Sequence, residues 1–203
     1  MANKCCVIAV ARIGSETFPN MSEIRRQKIA RLQNSSARRL SAAAEQALCL
    51  ALQTFDPGFL PPARYTYLPG GKPVLCDSQT HISLAHGGNW GAAAVSDIPI
   101  GLDIEGILHP TPSLIRRCLS AREQDVLGNV PDPDAFFRSA WVARESYVKM
   151  TGEGLTIPLA SIQVTDHSVN GFPLYRIRFD DHELALCARN TLHIRFVHAQ
   201  QSF

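Results

Sequence analysis

Apolar residues recur along this chain at two spacings, and the spacing predicts its elements. The unbroken run CCVIAVA reads as a buried first strand, Cys5–Ala11. A basic helix follows near Ser22–Leu32. A second covers about Ser36–Gln53, with Leu40, Ala43, Ala47 and Leu50 at helical spacing and Asn34, Ser35 and Ser36 as N-cap candidates. ARYTYL predicts a strand before the turn PGGKP. ISLAH and AAAVS predict short strands flanking HGGN, and SDIP a tight turn that makes AAAVS and IGLDIE the arms of a hairpin. HPTPS breaks the chain and opens a helix with Leu114, Cys118 and Leu119 inward. The next helix runs from about Asp132–Asp134 to Met150, closed by Gly152 and Gly154. SIQVTD, LYRIRFD, ELALCAR and LHIRFVHA alternate and predict a β meander. The order β-α-α-β-β-β, then α-α-β-β-β-β, predicts an α+β fold of two similar halves, 1–100 and 101–203. Each would be a small, mostly antiparallel sheet packed by helices, the two related by a pseudo-two-fold with the active site where they meet.

The strict alternation in IPIGLDIE carries chemistry. As a strand it sets Ile98, Ile100, Leu102 and Ile104 on one face and Pro99, Gly101, Asp103 and Glu105 on the other. Asp103 and Glu105 then stand about 7 Å apart at Cβ. Two carboxylates that close repel, so they call for raised pKa values or a cation between them, and oxygen ligands suit a hard divalent ion. Alone, the pattern equally describes a solvated strand face. A third acid, Glu145, lies in WVARESYVK, four residues before Lys149. That spacing on an exposed helix makes an ion pair worth only ~0.3–0.5 kcal/mol. This helix, however, carries apolar residues on both sides: Phe136, Ala140, Ala143, Tyr147 and Met150 on one, Phe137, Trp141 and Val148 on the other. A helix apolar all round is sandwiched. Packed on the acidic strand, it would complete a three-carboxylate site with an ammonium one turn away, the set that phosphoryl or pyrophosphate chemistry needs.

Composition narrows the class without naming it. Of 203 residues 45% are hydrophobic and 19% charged, with 13 Gly and 13 Pro in no repeat, which predicts a soluble globular chain with material for a core. A net charge of +2 gives no reason to expect nucleic acid, and the seven-residue apolar run is too short to span a membrane. The six cysteines show no C-x-x-C spacing and read as small buried hydrophobes in a reducing cytoplasm rather than zinc ligands. Arg25, Arg26, Lys28, Arg31, Arg38 and Arg39 crowd one stretch, suited to a polyphosphate, an acidic partner or a solvated helix face.

Four segments in order resemble one family. GLDIE is similar to the G-x-D-x-E motif of the 4′-phosphopantetheinyl transferases, and FFRSAWVARESYVKMTGEGL to their W-x-x-K-E-S-x-x-K-x-x-G-x-G-L motif. LPGGKPVL resembles the family's G-K-P segment, and ISLAHGGNW its histidine segment, F-N-I-S-H-S-G-x-W. The likeness covers residues 22–165 and is nearest to the monomeric, surfactin-type subgroup. It implies transfer of the phosphopantetheine arm of coenzyme A to a serine of an apo acyl or peptidyl carrier protein, releasing adenosine 3′,5′-bisphosphate. It further implies Mg²⁺ on Asp103, Glu105 and Glu145, with Glu145 taking the serine proton and Lys149 stabilising the leaving phosphate. Arg38, Lys72, His86 and Lys149 match positions that hold coenzyme A, with Arg25 and Lys28 as further basic matches. The partner would present acidic helices to the basic stretch.

Two departures stand out. Arg144 takes the place of the lysine before the family's glutamate, keeping the charge but not the reach. The histidine segment reads Ser83, Ala85, His86, Gly87, so two hydroxyls are missing and weaker contacts to a 3′-phosphate are expected. A magnesium-dependent phosphohydrolase or nucleotidyltransferase, or a non-catalytic binder of coenzyme A or carrier protein, are the alternative readings of the same acids.

Overall fold

The leading apolar run forms β1 (Cys5–Arg12). Cys6, Ile8 and Val10 face one core while Val7, Ala9 and Ala11 face another, so both sides of this strand are covered. The computed structural model describes residues 4–199. Next come α1 (Glu23–Ala30) and α2 (Ser35–Phe55). Each starts where a side chain accepts orphan backbone N–H groups: Ser22 from Arg25, and Asn34 from Ser36 and Ala37. A short hairpin, β2 (Tyr65–Tyr67) and β3 (Pro73–Leu75), precedes β4 (His81–Gly87), β5 (Trp90–Ser96) and β6 (Ile100–Glu105). Three helices follow: α3 (Pro112–Cys118), α4 (Ala121–Leu127) and α5 (Pro133–Thr151). Asp132 caps the start of α5, Pro133 supplies its fixed φ at the first position, and Gly152 ends it in the left-handed region at φ 76°. The chain closes with β7 (Ser168–Val169), β8 (Phe172–Phe179), β9 (His182–Ala188) and β10 (His193–His198).

The result is an α+β fold with five α-helices and mixed sheets among the described residues. One sheet runs β10-β1-β5-β4, with β10 parallel to β1; the other runs β6-β9-β8-β7, all antiparallel. The sheets share a core of Ile8, Val10, Ala92, Ala94, Leu102, Ile104, Leu184 and Leu186. On the outer face of the first, α2 packs Ala47, Leu48 and Ala51 against Ala9 and Val95. On the outer face of the second, α5 packs Val142, Ala143 and Met150 against Ala185 and Cys187. The order of layers is helix, sheet, sheet, helix.

Three expectations are corrected. β5 and β6 are not a hairpin: β6 pairs with β9 in the second sheet, and Ile98 of the connection is buried between the sheets. Alternation fixes which side of a strand is apolar but is silent on its neighbour. The C-terminal meander is also broken. Residues 162–165 make only an isolated bridge, Val164 to Val169, and β10 leaves β8 and β9 to pair with β1. Finally, α4 was not anticipated from apolar spacing because none of its side chains is buried; it is defined by the reciprocal cap between Ser120 and Glu123.

Candidate active site

The acidic strand and the tryptophan-bearing helix do pack together, and one glycine lets them. A Cβ on Gly101 would lie 2.0 Å from the Ser146 carbonyl oxygen and 2.2 Å from the Met150 nitrogen, so β6 touches α5 backbone to backbone. The expected faces hold: Ile100, Leu102 and Ile104 enter the inter-sheet core, while Gly101 and Asp103 meet α5. Asp103 is buried. Its Oδ1 accepts from Lys149 Nζ at 2.6 Å, and its Oδ2 is buried with no partner.

The three acids share one electrostatic environment. Burial raises Asp103 above the usual carboxylate range, and Lys149 only partly offsets this. Burial and then the charge of Asp103 push Glu105 up to about 7, against a contact from Trp141 that lowers it. Burial and Asp103 likewise raise Glu145. Three oxygen donors that resist ionising side by side, one with an orphaned buried oxygen, suit a hard divalent cation, which would satisfy that oxygen and offset the repulsion. Among the described residues no three His, Cys, Asp or Glu side chains stand in ligating geometry. At Asp103 the cationic partner is the Lys149 ammonium.

Beside the acids lies a cleft of about 240 Å³ lined by Arg25, Lys28, Tyr67, His86 and Lys149, with Ala44, Ala85, Gly71 and Pro73. Two of its basic groups are held below their ordinary values. Burial, then Arg25 and Lys149, lower Lys28; burial, then Lys149 and Lys28, lower His86, whose ring remains exposed at one edge. A basic concavity of this kind favours an anion. A second cleft of about 230 Å³, holding Lys72, Ser83, Glu145 and Gly152, shares Lys149, Leu84 and Gly71 with the first. Lys149 thus faces the acids and both clefts.

The expected ligands divide. His86, Lys28 and Lys149 line the basic cleft. Arg25 reaches its edge, but its guanidinium is buried and held by Glu45, Tyr65 and Ser41. Arg38 lines neither cleft; it pairs with Glu16 at 2.8 Å and donates to the carbonyls of Leu32 and Gln33. Lys72 lines the second cleft with its ammonium donated to the Met150 carbonyl. Ser83 lines the second cleft, and its hydroxyl accepts from the Leu102 N–H at 2.9 Å and so joins the two sheets.

Arg144 is turned away from the acids altogether. Its side chain is 1% exposed, donates to both oxygens of Glu123 at 2.7 and 2.6 Å and to the Leu159 and Ala140 carbonyls, and so ties α5 to α4. One position along a helix turns the side chain by about 100°, so the residue before Glu145 looks in another direction. The lysine-to-arginine departure therefore falls outside the acidic site. Glu123 was the residue missed, and its signal was the Ser120-x-x-Glu123 capping box.

A family model described as the 4′-phosphopantetheinyl transferase superfamily matches residues 99–198. Among curated proteins, the 4′-phosphopantetheinyl transferase psf-1 of Bacillus pumilus is 37% identical over 94 residues, 45% of this chain and 40% of that protein. The 4′-phosphopantetheinyl transferase Sfp of Bacillus subtilis (strain 168) is 33% identical over 107 residues, 51% of this chain and 48% of that protein. The matched part of the chain thus spans less than half the length of these relatives. The crystal structure of Thermotoga maritima holo-acyl-carrier-protein synthase (AcpS) covers 45% of this chain and 62% of that one at TM-score 0.38 and 14% identity, too slight a likeness to carry an argument. Residues 99–198, the segment that supplies Asp103, Glu105, Glu145 and Lys149, are thus similar to the 4′-phosphopantetheinyl transferase superfamily.

Proposed function

We propose that this chain transfers the 4′-phosphopantetheine arm of coenzyme A to a serine hydroxyl of an apo acyl or peptidyl carrier protein, releasing adenosine 3′,5′-bisphosphate. The observation that carries the reading is the placing of Lys149 between three mutually strained carboxylates and a cleft of cations. Breaking a pyrophosphate needs both: cations to accept the charge of the leaving phosphate, and acids to hold a divalent ion and to receive the proton of the incoming hydroxyl.

Asp103, Glu105 and Glu145 are the residues that would hold Mg²⁺, whose chemistry there is neutralisation of pyrophosphate charge. The chain's own residues do the rest. Glu145, with its pKa already raised, is a stronger base than a surface carboxylate and takes the serine proton. Lys149 follows the charge onto the departing bisphosphate. Lys28 and His86 hold the donor's phosphates in the basic cleft. Of the crowded basic stretch, Arg26, Arg31 and Arg39 remain exposed and line neither cleft while Arg25 and Arg38 have internal partners, so these three exposed cations face the acidic helices of the carrier. We read the chain as two α+β halves meeting at this site and acting as a monomer in the cytoplasm, since one copy supplies acids and cations alike. No described helix is long and apolar enough to cross a membrane.

The test is incubation with coenzyme A, Mg²⁺ and a panel of apo carriers, read by mass spectrometry for one added arm. Glu145→Gln is expected to abolish transfer while sparing coenzyme A binding. No added arm on any carrier, with coenzyme A still bound, would convert the assignment to a non-catalytic binder. Hydrolysis of the pyrophosphate without transfer would convert it to a phosphohydrolase.

A further inference from the structure

Glu45 and Arg25 form a buried ion pair between α2 and α1 that the proposed reaction does not use. Glu45 is fully buried, and both its oxygens are engaged. Oε1 accepts at 3.2 Å from the N–H of Ser22, the residue that caps α1. Oε2 accepts from Arg25 Nε at 3.2 Å and from the Tyr65 hydroxyl at 2.7 Å, while Arg25 Nη1 donates to Ser41 at 3.0 Å. Burial pushes the Tyr65 phenol up, so it stays a proton donor. One carboxylate thus joins the start of α1, the middle of α2 and β2.

α1 needs such a tether. A helix of eight residues is too short to hold its own shape in water, and only Arg25 and Ile29 of this one are buried. Ile29 is the apolar anchor, packed with Met21 and Ala42; Arg25 is the polar one. Lys28 follows Arg25 by three positions and shares its side of the helix. The Lys28 ammonium stands 5.3 Å from the centre of the Tyr67 ring. Tyr67 alternates with Tyr65 on one side of β2, the two rings edge to face at 5.7 Å. The network around Glu45 therefore fixes both partners of the Lys28–Tyr67 contact, at the wall of the basic cleft.

We infer that Glu45 is a positioning residue for the donor site: through Ser22, Arg25 and Tyr65 it sets where α1 lies and so places Lys28 at the basic cleft, without itself touching the donor. The inference rests on the proposed role of Lys28 in holding the donor's phosphates. The sign of the effect separates placement from charge. Removing a negative charge from beside a basic cleft would, by charge alone, tighten the binding of an anion. Loss of binding requires that the cations have moved.

The experiment compares the full chain with Glu45→Gln, Lys28→Met and the two combined. Calorimetric affinity for adenosine 3′,5′-bisphosphate should fall at least about fivefold in Glu45→Gln. In the Lys28→Met background the same change should cost less than about twofold, because the cation it places is already gone. Amide hydrogen exchange in residues 23–30 should quicken at least about tenfold in Glu45→Gln with α5 unaltered, since a stranded Arg25 guanidinium must seek water. In the transfer assay KM for coenzyme A should rise while kcat stays within about threefold. Unchanged or tighter bisphosphate binding in folded Glu45→Gln, or a loss that persists in full beside Lys28→Met, overturns the inference. If Lys28→Met alone binds like the parent, the donor role of Lys28 fails, and exchange in 23–30 alone decides whether Glu45 holds α1, unaltered exchange overturning it. Should Glu45→Gln not fold, Tyr65→Phe removes one of its partners and should weaken binding at least about threefold; parental affinity there overturns the inference equally.

Discussion

Gly101→Ala puts the central packing argument at risk with one methyl group. The added carbon would stand 2.0 Å from Ser146 O, 2.2 Å from Met150 N and 2.7 Å from Lys149 C, where real Cβ atoms essentially never come closer than 3.0 Å. All three obstacles are backbone, so no rotamer relieves them. β6 and α5 must separate by at least 3.0 − 2.0 = 1.0 Å. The Lys149–Asp103 contact, now 2.6 Å, then stretches beyond a normal hydrogen bond. Overpacking of this kind costs about 1–3 kcal/mol, and rigid backbone neighbours place this case at about 3 kcal/mol. A misplacement of about 1 Å between catalytic groups costs roughly a hundredfold in rate. Urea unfolding should show the first loss and the carrier-transfer assay the second. Gly14→Ala, with nothing within 4 Å of its Cβ, should change neither. A Gly101→Ala protein within about 0.5 kcal/mol of the parent and within about twofold in rate would show that the strand and helix do not depend on this approach, and the geometry behind the functional proposal would fall with it.

Metal and pH should act together. Glu105 titrates near 7 when folded against 4.5 in its ordinary state, so the stability it lends is full below about pH 4.5 and disappears as pH rises through 7. At ~1.4 kcal/mol per pKa unit this is at most about 3.5 kcal/mol, and Asp103 and Glu145 act in the same direction. Thermal unfolding without metal should therefore weaken from pH 5 to 8, and Mg²⁺ should raise Tm more at pH 8 than at pH 6; an equal rise at both counts against the three acids as ligands. Glu123→Ala strands the buried Arg144 guanidinium and should cost about 3 kcal/mol in urea unfolding, the low end for a broken buried pair because Glu123 keeps a wet edge. KM for coenzyme A should not move; a change there would return Arg144 to the acidic site. His86→Ala should raise KM for coenzyme A more than for dephospho-coenzyme A, and equal effects would remove His86 from the 3′-phosphate.

Sequence legibility followed the kind of signal. The capping residues Ser22, Asn34 and Asp132, and Gly152 at the end of α5, act within a few residues of themselves, so the helices they bound were readable to within two or three positions. The face carrying Asp103 was readable because alternation along a strand is geometric. What failed depended on partners far along the chain. β10 was placed beside β9 when it pairs with β1, and β6 beside β5 when it pairs with β9. The internal partners of Lys72, Arg38 and Arg144 were not legible either, because charge does not say which carbonyl or carboxylate will be within reach.

The order of residues by itself determined that three acids and Lys149 exist at spacings suited to one strand and one helix, and that each element has a face able to bury. Those properties are local, set by a rise of about 3.4 Å along a strand and about 1.5 Å along a helix. Only the tertiary structure decided that the missing side chain of Gly101 brings strand and helix into backbone contact, that Lys149 reaches Asp103, and that Lys72 ends on a helix carbonyl. Each of these contacts joins residues 45 to 78 positions apart. Over such separations, packing of whole layers, and not the neighbours in the chain, chooses the partner.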